Sequence, residues 1–486
     1  MNRPHFRTLS VLAAALLAAC ASAPLPPVTL PDAPAPARWQ APLPHDGQPA
    51  ELARWWQQFD DPLLPSLIEA AQAASPTLAS AASRIEQARA TRTAADAALL
   101  PNLNASAALS RGRQDLSVPT GTSMSASVQA SWELDVFGGN RAGQSAARAR
   151  LEGADASWHA ARVSLAAEVA TDYVALRACE AQLALAQADA DSRAQTARLT
   201  DLTAKAGFVA PASAALARAS AAQGRALVTA QRQRCDEDVK SLVELTALDE
   251  AALRTQLAPR SARLPQPAQI EVRQVPAEVL AQRPDLYSAA RDVLAAAADT
   301  AQAQAQRYPR LSLAGSIGPA RVESGPFQAV SGSLWAIGPV QLSLPIFDGG
   351  TRRANVEAAR ARYDEAAAGY RGKLRTALRE VEVALVALDS TAARAGDSQI
   401  AVEGYESSLT ATDARFKGGL ATLFELEDAR RSAVQARVTQ IDLERERVAA
   451  WISLYRALGG GWSAGDPQAA AKLPQHLAQN TPSAQP

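Results

Sequence analysis

Ser125 to Arg141 reads SASVQASWELDVFGGNR. Its even positions, Ala126, Val128, Ala130, Trp132, Leu134 and Val136, are apolar. Its odd positions, Ser125, Ser127, Gln129, Ser131, Glu133 and Asp135, carry hydroxyl, amide or carboxylate groups. Unbroken alternation of this kind predicts a strand with one apolar and one polar face. It stops at Phe137-Gly138-Gly139, where a long Ala-rich helical pattern begins. A second copy runs from Leu334 to Phe347, meets Asp348-Gly349-Gly350 and again feeds a long helix.

Working outward, the spacing shows an internal duplication. Ser75-Pro76-Thr77-Leu78 matches Arg283-Pro284-Asp285-Leu286, and 284 − 76 = 208. Leu100-Pro101-Asn102-Leu103 matches Tyr308-Pro309-Arg310-Leu311 at the same offset. Ala147 to Arg150 matches Ala359 to Arg362, and Gly207 matches Gly419, both at 212. Each copy reads as helix, strand, strand, long helix, helix. In the first copy the expected elements are a helix over Pro62 to Leu99, a strand over Asn102 to Ser110, and a loop over Arg111 to Met124. The quoted strand, a helix over Asn140 to Lys205 and a return helix from Ala212 to Leu248 follow. In the second they are a helix over Pro284 to Arg307, a strand carrying Leu311, Leu313 and Ile317 on one face, and a loop over Pro319 to Gly332. Then come a strand with Leu334, Ala336, Val340, Leu342, Leu344 and Ile346 on one face, and helices over Arg352 to Lys417 and Thr422 to Leu458. A straight helix from Asn140 to Lys205 would reach about 100 Å.

The 486 residues carry 49 basic and 49 acidic side chains, so no charge excess points to nucleic acid. Arg3 and Arg7 precede a short apolar run, Leu9 to Ala19, too short to span a bilayer as a helix. The run ends in Leu17-Ala18-Ala19-Cys20, which resembles a bacterial lipoprotein cleavage box. The resemblance implies removal of residues 1–19 and lipidation of Cys20. Ala21 stands where inner-membrane retention would place Asp, which favours the outer membrane. Residues 20–54, rich in Pro and Ala, then form a tether. The first repeat spans 55–258, a Pro-rich linker 259–276, the second repeat 277–461 and a C-terminal tail 462–486.

Four half-apolar strands cannot close a membrane barrel, which needs about eight or more. An open sheet edge is not tolerated in lipid. Several chains must therefore share one barrel: two would give eight strands and three would give twelve. The long helical hairpins need the same solution, because each has little core of its own until neighbours bury its Ala stripes.

The ordered set Trp132 to Gly138, Arg283 to Leu286, Leu344 to Gly350 and the turns at Ala206-Gly207 and Gly418-Gly419 resembles the TolC-type outer-membrane efflux proteins. Within them it resembles specifically the OprM/NodT-like lipoprotein branch. The match covers roughly Trp55 to Gly461. The resemblance implies a mainly α protein with a transmembrane β-barrel: a homotrimer with four strands per chain in a twelve-stranded barrel, continued by a periplasmic α-helical barrel. It implies outer-membrane lipid around the barrel, and as partners a periplasmic adaptor (membrane fusion) protein and an inner-membrane RND pump. It implies no enzyme, no cofactor, no metal and no nucleic acid. The residues agree with the absence of catalysis: His45, His159 and His476 are scattered without acidic or Cys companions at metal spacing. No P-loop is present.

In the family, acidic residues just past the second turn narrow the periplasmic end. The matching positions are Glu425 and Asp428, three apart and so on one helix face. The first copy has Ser213 and Leu216 there, so one hairpin supplies the acid. An ordinary solvated pairing of these acids with Arg430 and Arg431 is the competing reading. The turn residues Gly207, Phe208, Gly418, Gly419 and Leu420 are the expected adaptor-docking tips. Cys179 and Cys235 lie level on the two arms of the first hairpin, since (179 + 235)/2 = 207. They form either a disulfide or two buried thiols. Trp132, Trp335, Phe137 and Phe347 either anchor the membrane interface or pack at the barrel-to-helix junction. The expected function is the exit duct of a tripartite efflux pump passing drugs or other small molecules. Alternatives are the exit duct of a type I protein-secretion system and a non-conducting coiled-coil envelope scaffold.

Overall fold

The computed structural model describes residues 52–113, 120–266, 280, 283–324 and 328–462. Cys20, the expected signal peptide and most of the expected tether, linker and tail lie outside the described residues. A 3-10 segment, Leu52–Phe59, leads into α1 (Leu63–Ala74) and α2 (Pro76–Ala97). Next come β1 (Asn102–Gly112), β2 (Gly121–Leu134), α3 (Gly139–Lys205), α4 (Pro211–Thr246) and the short α5 (Glu250–Leu257). The second copy supplies α6 (Pro284–Ala305), β3 (Arg310–Ser324), β4 (Gln328–Ser343), α7 (Thr351–Lys417) and α8 (Leu423–Ala457).

The helix expected over Pro62 to Leu99 is two helices. Ser75 is extended (ψ 118°) ahead of Pro76, because the proline ring disfavours helical backbone at the residue before it. Among the described residues, the loops expected over Arg111 to Met124 and Pro319 to Gly332 are mostly strand: β2 starts at Gly121, and β3 and β4 run to Ser324 and from Gln328. Pro319 argues for a loop because it cannot donate to a ladder. The β2–β3 register passes from Ser125↔Ala320 to Val128↔Ile317, leaving Ala126 and Ser127, which pair with β1, without a ladder partner on β3 where Gly318 and Pro319 pass. Gly318 is required at that point, since a Cβ there would sit 1.9 Å from the Ala126 carbonyl oxygen.

The chain divides into two compact units, and each draws on both sequence copies. One holds residues 84–154 and 288–371 among those described. Its centre is a four-stranded antiparallel sheet in the order β1-β2-β3-β4, so β1 and β4 are edges. Register sorts the side chains into two faces. Leu134, Leu311 and Leu342 share one face, followed by Trp132, Leu313 and Val340, then Leu103, Ala130, Gly315 and Ile337, then Ala105, Val128, Ile317 and Trp335. The opposite face carries Glu133, Ser312 and Gln341, then Asn104, Gln129, Ser316 and Ala336. Hydroxyl pairs Ser106–Ser127 (3.1 Å) and Ser110–Ser123 (2.7 Å) cross β1 and β2 there.

The expected face of β4 needs correction. Val340 and Leu342 lie on the apolar face, but Leu334 and Ala336 lie on the polar one, while Trp335 and Ile337 take the apolar side. An irregularity in register sits between Leu313 and Gly315, opposite Gly338-Pro339. One extra residue in a strand reverses every side chain beyond it.

Both long helices begin on a carboxylate. Asp135 accepts from the backbone N–H of Asn140 (3.1 Å) and Arg141 (2.9 Å) at the start of α3. Asp348 accepts from Gly350 (2.9 Å) and Arg352 (3.1 Å) at the start of α7. Each satisfies otherwise orphaned donors and places negative charge at a helix N-terminus. Phe137 stacks on Tyr308 at 5.0 Å and Trp132 Nε1 donates to the Leu99 carbonyl at 2.9 Å. Phe347 remains exposed.

The other unit holds residues 52–83, 155–287 and 372–462 among those described. Its main core joins Trp55, Phe59, Leu67, Val169, Tyr173, Leu176, Leu242, Leu253, Leu385, Trp451 and Leu454. Trp56 packs on Tyr455 at 4.6 Å, whereas Trp462 packs apart from them, on Tyr287 at 5.2 Å. Arg283, buried, explains its own motif. Its Nε and Nη2 grip both oxygens of Asp285, and its Nη1 reaches Glu380 and the Ala457 carbonyl, each at 2.9 Å. It thereby caps the C-terminus of α8. Burial pushes the Asp285 carboxyl up, but the hydrogen bonds and charge of Arg283 outweigh it and hold it below the usual carboxylate range.

Candidate functional site

The two helical hairpins turn in the same way. Gly207 (φ 81°) and Gly419 (φ 74°) adopt the left-handed conformation that glycine takes without strain. Phe208 N–H donates to the Thr203 carbonyl at 2.9 Å, and Leu420 N–H to the Arg415 carbonyl at 2.8 Å. Since 203 + 212 = 415 and 208 + 212 = 420, the repeat offset maps one bond onto the other. Gly207 and Gly419 N–H close the inner bond of each turn at 3.0 Å, completing two Schellman caps. Holding the turns this way leaves Phe208 81% and Leu420 74% exposed. Exposed apolar side chains on tight turns are suited to contact with another surface.

Beyond the turns the copies diverge. α4 opens with Pro211 and no side-chain cap, whereas α8 opens with a complete capping box. The Thr422 hydroxyl accepts from Glu425 N–H (3.2 Å), and the Glu425 carboxylate accepts from Thr422 N–H (2.6 Å) and its hydroxyl (2.8 Å). That backbone bond, then the hydroxyl, then Arg415 nearby hold the Glu425 carboxyl below its usual range. Asp428 pairs with Arg431 at 2.9 Å on the exposed surface. Glu425 and Asp428 therefore remain one turn apart and outward, each engaged locally.

Arg430 does something else. It is 3% exposed and turns inward to a set of charged groups that its spacing does not announce. Its Nη1 binds Glu427 at 2.6 Å and its Nη2 reaches the Ser192 and Thr196 hydroxyls at 3.0 and 3.2 Å. Glu427 also accepts from Arg193 Nη1 (2.9 Å) and the Ser220 hydroxyl (2.8 Å). Arg193 Nε binds Asp189 at 2.7 Å. Three helices, α3, α4 and α8, thus meet at one buried node of two cations and two anions. Read along one helix, Glu427 with Arg430 and Asp189 with Arg193 are ordinary surface pairs. Only the packing of α8 on α3 removes them from water.

Farther from the turns, Cys179 on α3 and Cys235 on α4 face each other with Cα atoms 5.5 Å apart, within disulfide range. Gln231 donates to the Cys179 carbonyl (3.3 Å) and to Gln182 (3.2 Å), and Gln182 donates to Asp442 on α8 (3.1 Å). Among the described residues no group of three His, Cys, Asp or Glu is placed to hold a metal ion. No described helix is long and apolar enough to cross a membrane. The candidate features are the amphipathic sheet in one unit and, in the other, the turns with exposed Phe208 and Leu420.

Residues 67–248 and 275–460 match the family of outer membrane efflux proteins, one match for each copy. Outer membrane protein OprJ of Pseudomonas aeruginosa is 33% identical over 475 residues, spanning 96% of this chain and 98% of its own. The pyoverdine export outer membrane protein OpmQ of Pseudomonas putida is 32% identical over 485 residues, spanning 96% and 100%. The solved outer-membrane channel OprN superposes with a TM-score of 0.79 at 28% identity, covering 89% of this chain and 99% of OprN. The open state of the Neisseria gonorrhoeae MtrE channel superposes at 0.75 and 25% identity, covering 90% and 98%. Its duplicated architecture, its sheet and its sequence together make this chain a member of the outer membrane efflux protein family.

Proposed function

We propose that the chain is the outer-membrane exit duct of a tripartite efflux pump, passing drugs or other small molecules from the periplasm to the exterior. Three copies share one twelve-stranded barrel, and Cys20 carries the lipid anchor. A periplasmic adaptor docks on the tips at Gly207, Phe208, Gly418, Gly419 and Leu420 and couples the duct to an inner-membrane RND pump. The sheet carries this reading: one face is apolar, the other is hydroxyl- and amide-lined, and both edges are unpaired among the described residues. Such a sheet is stable in lipid only when copies pair edge to edge.

Glu425 and Asp428 from each copy form two stacked acidic rings at the periplasmic entrance. Like charges at a constriction attract cations and repel one another. A disulfide between Cys179 and Cys235 ties the arms of the first hairpin, which supplies no acid. The purified full-length protein should pass current in planar bilayers with preference for cations. Glu425→Ala with Asp428→Ala should raise conductance and reduce that preference. A variant with unchanged conductance and selectivity would remove the acidic rings from the account.

A further inference from the structure

The charges of the sheet are segregated by face and by end. On the polar face Glu133 and Arg310 stand near the helices, and no charged residue follows toward the hairpin ends among the described residues. The apolar face is reversed. It carries no charge until Arg321, in register with Met124 and Ser331, and then Arg111 and Glu323, both opposite Thr122. Arg111 is exposed. From Leu134 to Met124 the strand advances about 34 Å at about 3.4 Å per residue. At a tilt of about 40° that is about 26 Å of membrane thickness, which matches the apolar band of an outer-membrane barrel. Arg321 and Arg111 therefore stand where the band ends, on the side away from the helices.

Residues that merely solvated the mouth of a duct would be found on both faces. Here the strand arginines at this end all lie on the apolar face, the one that meets lipid. Arg321 donates through Nε (2.9 Å) and Nη2 (2.6 Å) to one Glu323 oxygen, so Glu323 offsets one of the two strand arginines. A guanidinium presents paired donors that fit phosphate oxygens, and phosphate is the dense anion at a lipid headgroup. The opposite end of the band has aromatic rings instead, with Trp132 on the strand and Phe137 stacked on Tyr308.

We propose that Arg111 and Arg321 bind the phosphate groups of an anionic glycolipid in the outer leaflet around the barrel. The proposal rests on the apolar face meeting lipid. Native mass spectrometry of the full-length protein, titrated with bisphosphorylated lipid A, tests it. Arg111→Gln with Arg321→Gln should weaken lipid binding about tenfold or more, judged from the usual contribution of each basic residue near an anionic surface. Arg111→Lys with Arg321→Lys should retain part of it. Adding Ser110→Arg to the glutamine pair, which moves one charge to the polar face, should restore nothing. Unchanged binding in the glutamine variant overturns the proposal, as does rescue by Ser110→Arg. Equal binding of phosphatidylglycerol or inorganic phosphate by the native protein overturns the glycolipid assignment. Conductance of the same glutamine variant should equal that of the native protein. Absence of current from the native protein would strike the duct reading and leave the lipid result standing.

Discussion

Replacing Glu427 with glutamine should loosen the entrance side of α8 far more than its place among surface-type pairs suggests. Glu427 accepts from Arg430, Arg193 and Ser220, and its side chain is 16% exposed. Without its charge, one buried and one partly buried guanidinium are left with Asp189 as their anion, and one Asp189 oxygen has no hydrogen-bond partner. Removing one member of a buried ion pair costs about 3–5 kcal/mol. The lower end applies here, because Arg193 keeps Asp189 and Arg430 keeps Ser192 and Thr196. About 3 kcal/mol corresponds to a roughly 100-fold rise in local opening at about 1.4 kcal/mol per tenfold. Hydrogen exchange in the purified protein should show that rise for amides near Glu427 and near Asp189. Glu446→Gln is the comparison: Glu446 pairs with Arg394 at 2.8 Å with both side chains about half exposed, and its loss should change exchange less than about fivefold. Equal effects from the two variants would refute the claim that the buried node holds α8 to α3.

Gly318→Ala should disrupt the β2–β3 pairing, because a Cβ would overlap the Ala126 carbonyl, whereas Gly332→Ala, with open space around it, should assemble normally; assembly is read by the yield of heat-resistant oligomer. Asp172→Asn should raise the unfolding temperature at pH 7. Burial, then the charge of Glu168, pushes the Asp172 carboxyl up. A raised carboxyl value means that the ionised form is penalised in the folded chain, fully above that value and not at all well below the ordinary carboxylate range. The gain should therefore shrink as pH falls through that range, and an equal gain at pH 7 and pH 4 would contradict it. Asp135→Ala should cost about 1 kcal/mol at the N-terminus of α3, seen as an approximately fivefold faster exchange of Asn140 and Arg141 amides; no change would mean that the carboxylate does not hold that helix end.

Much of this architecture can be read from spacing alone. A repeat offset of 208 to 212 locates both strand pairs, both long helices and both turns, because duplicated elements keep their punctuation of Gly and Pro. What escapes is whatever depends on a neighbour. The reversal at Gly338-Pro339 escapes because period-2 counting assumes an unbroken pleat. Pro319 inside β3 escapes because its missing donor is harmless only where the facing ladder has a gap. Arg430 and Glu427 look solvated because each sits three or four residues from an opposite charge, and nothing local reports that α3 covers them. Asp135 is visible in sequence only as the last polar position of the strand, although its carboxylate serves the helix that follows. Glu425 carries a double signal: the same carboxylate completes a capping box with Thr422 and stands at the place proposed for an acidic ring.

One barrel made from several copies is the central claim, and counting chains in a conducting particle tests it most directly. Full-length protein should be purified in detergent, the fraction that conducts in planar bilayers collected, and its mass measured by native mass spectrometry. Three copies per conducting particle, and therefore twelve strands, are predicted. A conducting particle of a single chain would contradict the account, because its four strands would then have to form a membrane pore with two open edges.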